Sequence, residues 1–446
     1  MLRRACSVFN LPKYGAGICL SRLAALLAAL CVDRERLRQR SVVVTGSNGK
    51  GSTAAFTASI GHAGGLRTGL FTSPHLIRFN ERFQIDGVAI GDDELAALML
   101  RVATAIVDLG RSGLHETFGA FEAQFALACL YFQESDCDFA VFEAGIGGRY
   151  DPVRLVGATV TCVTSVDYEH VDLLGHSLEL IASDKSDACA AGGTIVYGEN
   201  CRPLQRHLGE YLRHREVTPI YVREQIAIRN EAMSATRQQF DLSFRGHRIH
   251  GLEMSVLGDF QFNNAAIAAA LFLLWSKRMH PANADETVDA AIAAGLRTAR
   301  WPGRLEVVQA DPLTVIDVGH TPDGVAQALK SLRAIHGDER WLLVLGVSGD
   351  KSVDDIAQQL APHFDTIVCT RAYHKGAAVQ LIAAAAERAY PQATLHVAAT
   401  IEDAIEISQR LARRLNRKIY VAGGLFVAIE YLTVLRGGRA EDLKFF

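Results

Sequence analysis

Short apolar runs alternate along the chain with longer stretches whose apolar positions recur every third or fourth residue. The first pattern is that of strands buried on both faces, the second that of helices covering them. Helices are predicted over Ala54–Gly64, Asp93–Leu109 and Phe121–Gln133, and strands over Thr68–Thr72, Phe139–Glu143 and Val160–Ser165. Strands that take turns with helices imply a mostly parallel sheet, with ligand-carrying loops beyond the carboxyl ends of its strands. Ser73, Glu143 and Ser165 fall at or just past such ends. Between Gln225 and Gly251 the period shortens to two, as in Phe240-Asp-Leu-Ser-Phe and His247-Arg-Ile-His. This predicts a short antiparallel addition, followed by a buried helix over Phe262–Trp275. Pro302 and Gly303 then interrupt the pattern, before strands at Leu313–Asp317, Trp341–Gly346, Thr366–Thr370, Leu395–Ala398 and Ile419–Gly423. Two α/β units are expected, residues 1–297 and 298–446, with a hinge in Thr298-Ala-Arg-Trp-Pro-Gly.

Composition agrees with two units, since 446 residues exceed what one hydrophobic core usually holds and 49% of them are hydrophobic. A net charge of −3, without any lysine or arginine block, offers no footprint for nucleic acid. Nine cysteines from Cys6 to Cys369, with no Cys-x-x-Cys pair, read as reduced thiols of a cytoplasmic protein rather than a disulfide framework or zinc site. The basic opening Met1-Leu-Arg-Arg-Ala-Cys6 and the apolar stretch Ala24–Val32 suggest a signal peptide at first sight. Lys13 and Arg22 break that character, however, and Leu23, Leu26, Leu27 and Leu30 recur at the spacing of an amphipathic helix. The longest apolar run, Ala265–Trp275, falls short of the ~20 residues that span a bilayer, so a soluble protein with no membrane partner is expected.

Chemistry enters at residues 42–53, Val-Val-Val-Thr-Gly-Ser-Asn-Gly-Lys-Gly-Ser-Thr. An apolar strand breaks into glycines and ends on a lysine with small hydroxyl residues, the makings of a phosphate cradle. Gly46, Asn48, Gly49 and Gly51 form the loop, Lys50 supplies a point charge for the β/γ oxygens, and Ser52 or Thr53 offers a hydroxyl to Mg²⁺. The loop is two residues shorter than the usual G-x-x-x-x-G-K-[ST], and on spacing alone it also fits a glycine-rich strand-to-helix turn.

The continuation removes most of that ambiguity. Thr-Gly-Ser-Asn-Gly-Lys-Gly-Ser, followed by Thr72-Ser-Pro-His-Leu-Ile-Arg-Phe-Asn-Glu-Arg82, resembles the folylpolyglutamate synthase and dihydrofolate synthase branch of the Mur ligases. Further matches come in order: Phe121-Glu122, Glu143-Ala-Gly-Ile-Gly-Gly-Arg149, Thr164-Ser165, His170 with Asp172-Leu-Leu-Gly175, Lys185, Gln261 with Asn264, Trp301-Pro-Gly-Arg304, Asp317 with His320, and Asp350-Lys351. They span the chain from about Lys13 to Glu430.

The resemblance implies an α/β fold with a P-loop ATP-binding domain and a C-terminal Rossmann-like domain of the glutamate-ligase type. It implies ATP and Mg²⁺ as cofactors, with Ser52, Ser73, Glu143 and His170 as metal ligands. Lys50, Lys185 and His320 become the catalytic candidates, and Lys185 corresponds to a lysine that is often carbamylated. Gln261 and Asn264 fall on the adenine side, Arg304 and Asp317 near the nucleotide, and Pro74, Arg82, Phe121 and Asp151 on the acceptor side. Read without the resemblance, several of these have plainer roles: His170 a solvated histidine, Lys185 a helix-surface lysine, Asp317 a helix cap, Gln261 and Asn264 capping residues.

The implied reaction is acyl-phosphate formation on a folate-type carboxylate, followed by attack of the amine of L-glutamate, in a monomeric protein. Four positions depart from the family pattern: Gly119 and Asp151-Pro-Val-Arg154 on the acceptor side, Thr321 after His320, and Ser352 after Lys351. They leave two other readings standing, a paralogue that acts on a non-folate carboxylate and a non-catalytic nucleotide-binding switch.

Overall fold

The computed structural model describes residues 11, 12, 17, 19–282, 284–337 and 340–444. Cys6, Lys13 and the basic opening Met1–Cys6 lie outside the described residues. The helix Leu20–Ala29 buries Leu23, Leu26 and Leu27, the face that their spacing predicts. Among the described residues no helix is long and apolar enough to cross a membrane.

The first sheet contains β1 (Ser41–Thr45), β2 (Thr68–Phe71), β3 (Phe83–Ile85), β4 (Val88–Ala89), β5 (Phe139–Glu143), β6 (Val160–Val163), β7 (Thr194–Tyr197) and β8 (Thr218–Tyr221). Their spatial order is β4-β3-β2-β5-β1-β6-β7-β8, parallel except where β3 joins β2 and β4. Val42 and Val44 of β1 pack with Phe56 and the helix Phe260–Met279, whereas Val43 packs with Phe71 and Phe142 on the other face. Because each face meets a different apolar layer, β1 reads as an unbroken apolar run. Its register sets Val44 beside Glu143 of β5 and Thr45 beside Val163 of β6, which brings three loop mouths together at one sheet end.

A three-stranded antiparallel sheet, β9 (Ala227–Met233), β10 (Gln238–Phe244) and β11 (His247–Met254), packs Phe240, Leu242 and Phe244 into the same core as Phe262. After the segment Ala299–Leu305, the second large sheet is built from β12 (Glu306–Ala310), β13 (Leu313–Ile316), β14 (Trp341–Leu345), β15 (Thr366–Thr370), β16 (Thr394–Ala398) and β17 (Lys418–Ala422). The order is β12-β13-β17-β14-β15-β16, with only the edge strand β12 antiparallel.

The structure differs from the sequence-based expectation mainly at the P-loop helix, which spans Lys50–Ala63 rather than starting at Ala54. Glycine, serine and threonine are poor interior helix formers, and they hid a first turn that Gly49, left-handed at φ +86°, sets up. The sequence pattern also missed β3, β4, β7, β8 and β12: β4 and β12 have no buried residue, β8 carries Pro219, and β3 and β7, though mostly buried, are only three and four residues long.

Candidate functional site

The P-loop is held by the end of β6. Thr164 Oγ1 donates to Asn48 O (2.6 Å), Ser165 Oγ accepts from Asn48 N (2.8 Å), and Ser47 N donates to Ser165 O (2.9 Å). Gly46, at φ +139°, lies so close to this strand that a Cβ would fall 1.9 Å from Thr164 Oγ1, and a Cβ on Gly51 would fall 2.5 Å from the Trp301 ring. Lys50 Nζ folds back onto the loop and donates to Gly46 O (2.7 Å) and Ser47 O (3.0 Å). Thr53 Oγ1 is buried with no hydrogen-bond partner among the described residues. Ser52 Oγ accepts a long bond, 3.3 Å, from Gln261 Nε2, and Gln261 Oε1 accepts from Asn264 Nδ2 (2.9 Å). Both amides are buried and brace the P-loop from behind, with Asn264 against Gly49.

Across the sheet end, Glu143 closes β5 with its Oε2 accepting from Ser73 N (2.9 Å). Burial pushes its carboxyl up to about 7 against the opposing charges of Lys50, Arg304 and Arg82. His170, at φ +45°, opens the short helix Val171–Leu174 and is exposed. Lys185, 1% exposed, is no surface lysine: its Nζ lies 2.5 Å from Glu169 Oε1. Burial lowers the pKa of Lys185 against the charge of Glu169. Glu169, although burial opposes it, is brought down to about 2 by Lys50 and Lys185. Glu169 was missed by sequence reasoning, its only signal being its place beside His170. Among the described residues no three His, Cys, Asp or Glu groups gather into a ready-made metal cluster.

Of the residues expected on the acceptor side, Pro74 is exposed and Phe121 packs on Phe71 with ring centroids 5.7 Å apart. Asp151 is buried, and its oxygens accept from Gly145 N, Ile146 N and Val153 N at 2.9–3.0 Å. It therefore anchors the loop after β5 from one side, while Asp184, also missed, accepts from Gly148 N (2.9 Å) on the other. Arg154 lies at the surface with Nη1 donating to Arg149 O (2.8 Å). Arg82 is buried and reaches His75 and Gln124.

The second sheet brings its own groups to the P-loop. Asp317, at the end of β13, accepts from Gly319 N (2.8 Å) and Leu305 N (3.1 Å), so it fixes the turn that carries Arg304. Burial raises its carboxyl against the Arg304 charge. His320 lies just beyond, lowered to about 4 by burial and by Lys351 and Arg304, with Nδ1 3.3 Å from Val318 O. Thr321 caps the helix Pro322–His336 through Gly324 N (3.0 Å) and donates to Asn48 Oδ1 (3.3 Å), a direct contact between the two large-sheet units. The glycine-rich loop and the buried Glu143 of the first unit thus lie within reach of the charge of Arg304 and of the turn that carries Asp317 and His320 in the second.

The Mur ligase middle domain family matches residues 44–272, and the Mur ligase glutamate ligase domain family matches residues 303–424. A probable bifunctional folylpolyglutamate synthase/dihydropteroate synthase of Halobacterium salinarum is 33% identical over 96% of the chain, which spans only 50% of that relative. The dihydrofolate synthase/folylpolyglutamate synthase of Bacillus subtilis is 31% identical over 78% of this chain and 80% of its own. A folylpolyglutamate synthase structure in complex with AMPPCP and folate superposes with a TM-score of 0.83 at 27% identity, covering 97% of this chain and 99% of that one.

Proposed function

Because the chain belongs to the folylpolyglutamate synthase family of the Mur ligases and is an ATP-dependent ligase, we propose that it joins L-glutamate to a folate-type carboxylate. The observation that carries this reading is the contact of Thr321, next to His320, with Asn48 of the P-loop, together with the charges of Lys50 and Arg304 that act on Glu143 and His320. In the first step an acceptor carboxylate oxygen bonds the γ-phosphorus as the bond to the ADP oxygen breaks. In the second, the neutral glutamate amine bonds the acyl carbon, the bond from that carbon to the phosphate oxygen breaks, and the amine gives up a proton to the departing phosphate or to solvent, so that an amide remains. Lys50 needs only to exchange two backbone carbonyls for phosphate oxygens, and Arg304 approaches the same anion from the other unit, so charge is stabilised by groups already in place. Nδ1 of His320 faces Val318 O, which leaves Nε2 of the neutral ring as the acceptor able to orient the amine.

The residues fit Mg²⁺. The orphaned Thr53 hydroxyl, Ser52, Ser73 and the buried Glu143 are oxygen donors of the kind Mg²⁺ prefers, and with His170 they would hold the ion alongside water and phosphate. Bound there, the ion screens charge on the transferring phosphoryl group. Carbamylation of Lys185 belongs to the same proposal: burial favours the neutral amine, which adds to CO₂ with release of a proton. That product exchanges the ion pair with Glu169 for a second carboxylate, so Glu169→Gln should take up more CO₂ than the wild type. Absence of a carbamate carbon signal from both proteins in ¹³C-bicarbonate would remove this part.

Eight described cysteines are unpaired and six of them buried, in keeping with a cytoplasmic enzyme, and a monomer suffices because one chain supplies both sides of the cleft. The deciding experiment is phosphate release from ATP with tetrahydrofolate and L-glutamate, together and singly, with product mass measured. Release that needs both, with a gain of one glutamyl group, is expected. Release with neither would reduce the protein to an ATPase or nucleotide switch.

A further inference from the structure

Arg82 is a guanidinium 8% exposed that makes no ion pair among the described residues, an expensive arrangement unless its surroundings hold it for a purpose. Two of its donors are fixed: Nε donates to His75 Nδ1 (2.8 Å) and Nη1 to Gln124 Oε1 (2.9 Å), whereas Nη2 has no partner among the described residues. Burial weakens its charge, and the carboxylates of Glu143 and Glu81 act against that loss. A guanidinium can only donate, so His75 Nδ1 is the ring's acceptor and Nε2 carries the hydrogen. That Nε2 lies 2.6 Å from Lys444 O and donates to it.

Lys444 belongs to the other unit. Leu443 is buried in the apolar cluster of the second sheet with Ile316, Val421 and Leu432, and Leu76, next to His75, packs against the same cluster. The loop bearing Arg82 is therefore tied to the C-terminal segment by one apolar contact and one hydrogen bond, and the hydrogen bond continues through His75 to the guanidinium.

We infer that His75 is a positioning residue that aims Arg82 at the acceptor carboxylate, and that the segment Ala440–Lys444 of the second unit sets this aim through it. The occupant of the site rests on the ligase reading above. Seating of the second unit then completes the acceptor site as well as the nucleotide site, because the same hydrogen-bond chain forms only when Lys444 O is in place.

Two amide variants separate the two bonds of the ring. His75→Asn keeps an acceptor where Nδ1 was, and His75→Gln keeps a donor where Nε2 was. In the full chain, with tetrahydrofolate, L-glutamate and ATP varied in turn, His75→Gln should raise KM for the folate about tenfold or more, the loss expected for one hydrogen bond to a charged group, with KM for ATP within about twofold. His75→Asn, which keeps the bond to Arg82 but loses the one to Lys444 O, should raise KM for the folate only as much as loss of Lys444 does. Removal of residues 443–446 should raise that KM in the wild type and add little in His75→Gln. Unchanged KM for the folate in His75→Gln, additive effects of the two changes, or a parallel rise for ATP and folate would overturn the inference. Amide exchange of Leu76–Arg78 needs no turnover and should quicken when residues 443–446 are removed. Equal exchange would sink the coupling even if the wild type proved not to be a folate ligase.

Discussion

A lysine that spends its charge on the carbonyls of its own loop can transfer that charge to phosphate without moving far, which is the preorganisation that phosphoryl transfer rewards. Lys50→Ala is accordingly expected to lower turnover by about 10²–10³-fold or more while the melting temperature stays near that of the wild type. Wild-type turnover, measured by ADP release, would refute its role. His320 gives a pH signature. Its folded ring takes a proton only near 4 against an ordinary 6.5, so between these values the unfolded chain holds more protons than the folded one. Stability from this residue is thus complete above about pH 6.5 and is lost as pH falls through 4, a change of about 1–2 kcal/mol after allowance for solvent. His320→Gln should flatten urea midpoints across that window, and an undiminished slope would place the titration elsewhere. Glu169 and Asp184 show what a bare sequence withholds at this scale. A carboxylate acquires meaning from its partners, Lys185 in one case and the backbone N–H of Gly148 in the other, and neither lies close enough in sequence to be read.

At the scale of elements, Thr321 tests whether a departure from the family pattern matters. It caps the helix Pro322–His336 and bridges to Asn48, and asparagine caps a helix at least as well as threonine. Thr321→Asn should therefore leave stability within a few tenths of a kcal/mol, whereas Thr321→Ala should cost about 1 kcal/mol in chemical denaturation. A loss in the asparagine variant as large as in the alanine variant would mean that the bridge to Asn48 matters more than the cap. The strands that carry the site were the legible ones: β1, β5, β6 and β13 are buried on both faces or nearly so, and burial writes itself into sequence as an apolar run. Edge strands β4 and β12 leave no such mark because half or more of each faces solvent. The P-loop was legible for a different reason, since Gly46 and Gly49 stand where positive φ and a neighbouring side chain exclude other residues. What brings the acceptor loop to the second unit, the contact of His75 with Lys444, joins residues 369 positions apart and leaves no local pattern at all.

For the molecule as a whole, the link between the two large sheets is thin where it crosses the P-loop. Thr321 meets Asn48 through one long hydrogen bond, and the Trp301 ring packs against Gly51. Further ties run through Asp259, which pairs with Lys330 and bonds Ser331, and through His75 and Leu76, so a change of angle between the units on binding a shared ligand would pivot about these contacts. On the proposed reading a nucleotide would supply such a ligand, with Lys50 on one side of its phosphates and Arg304, beside the Pro302-Gly303 turn, on the other. By the inference above, the acceptor would add a second bridge through Arg82 and His75. ATP and a folate together should therefore draw the units closer than either does alone. A compact chain of this length has a radius of gyration of about 22 Å, and an open two-lobed form exceeds it, so small-angle scattering reads the change directly. The expected result is a smaller radius with both ligands than without, and a reduced change in Arg304→Ala, whose P-loop still binds nucleotide but lacks the opposing clamp. Identical radii for the free and doubly liganded wild type would show that the cleft is already as closed as it becomes, and catalysis would then have to proceed without closure.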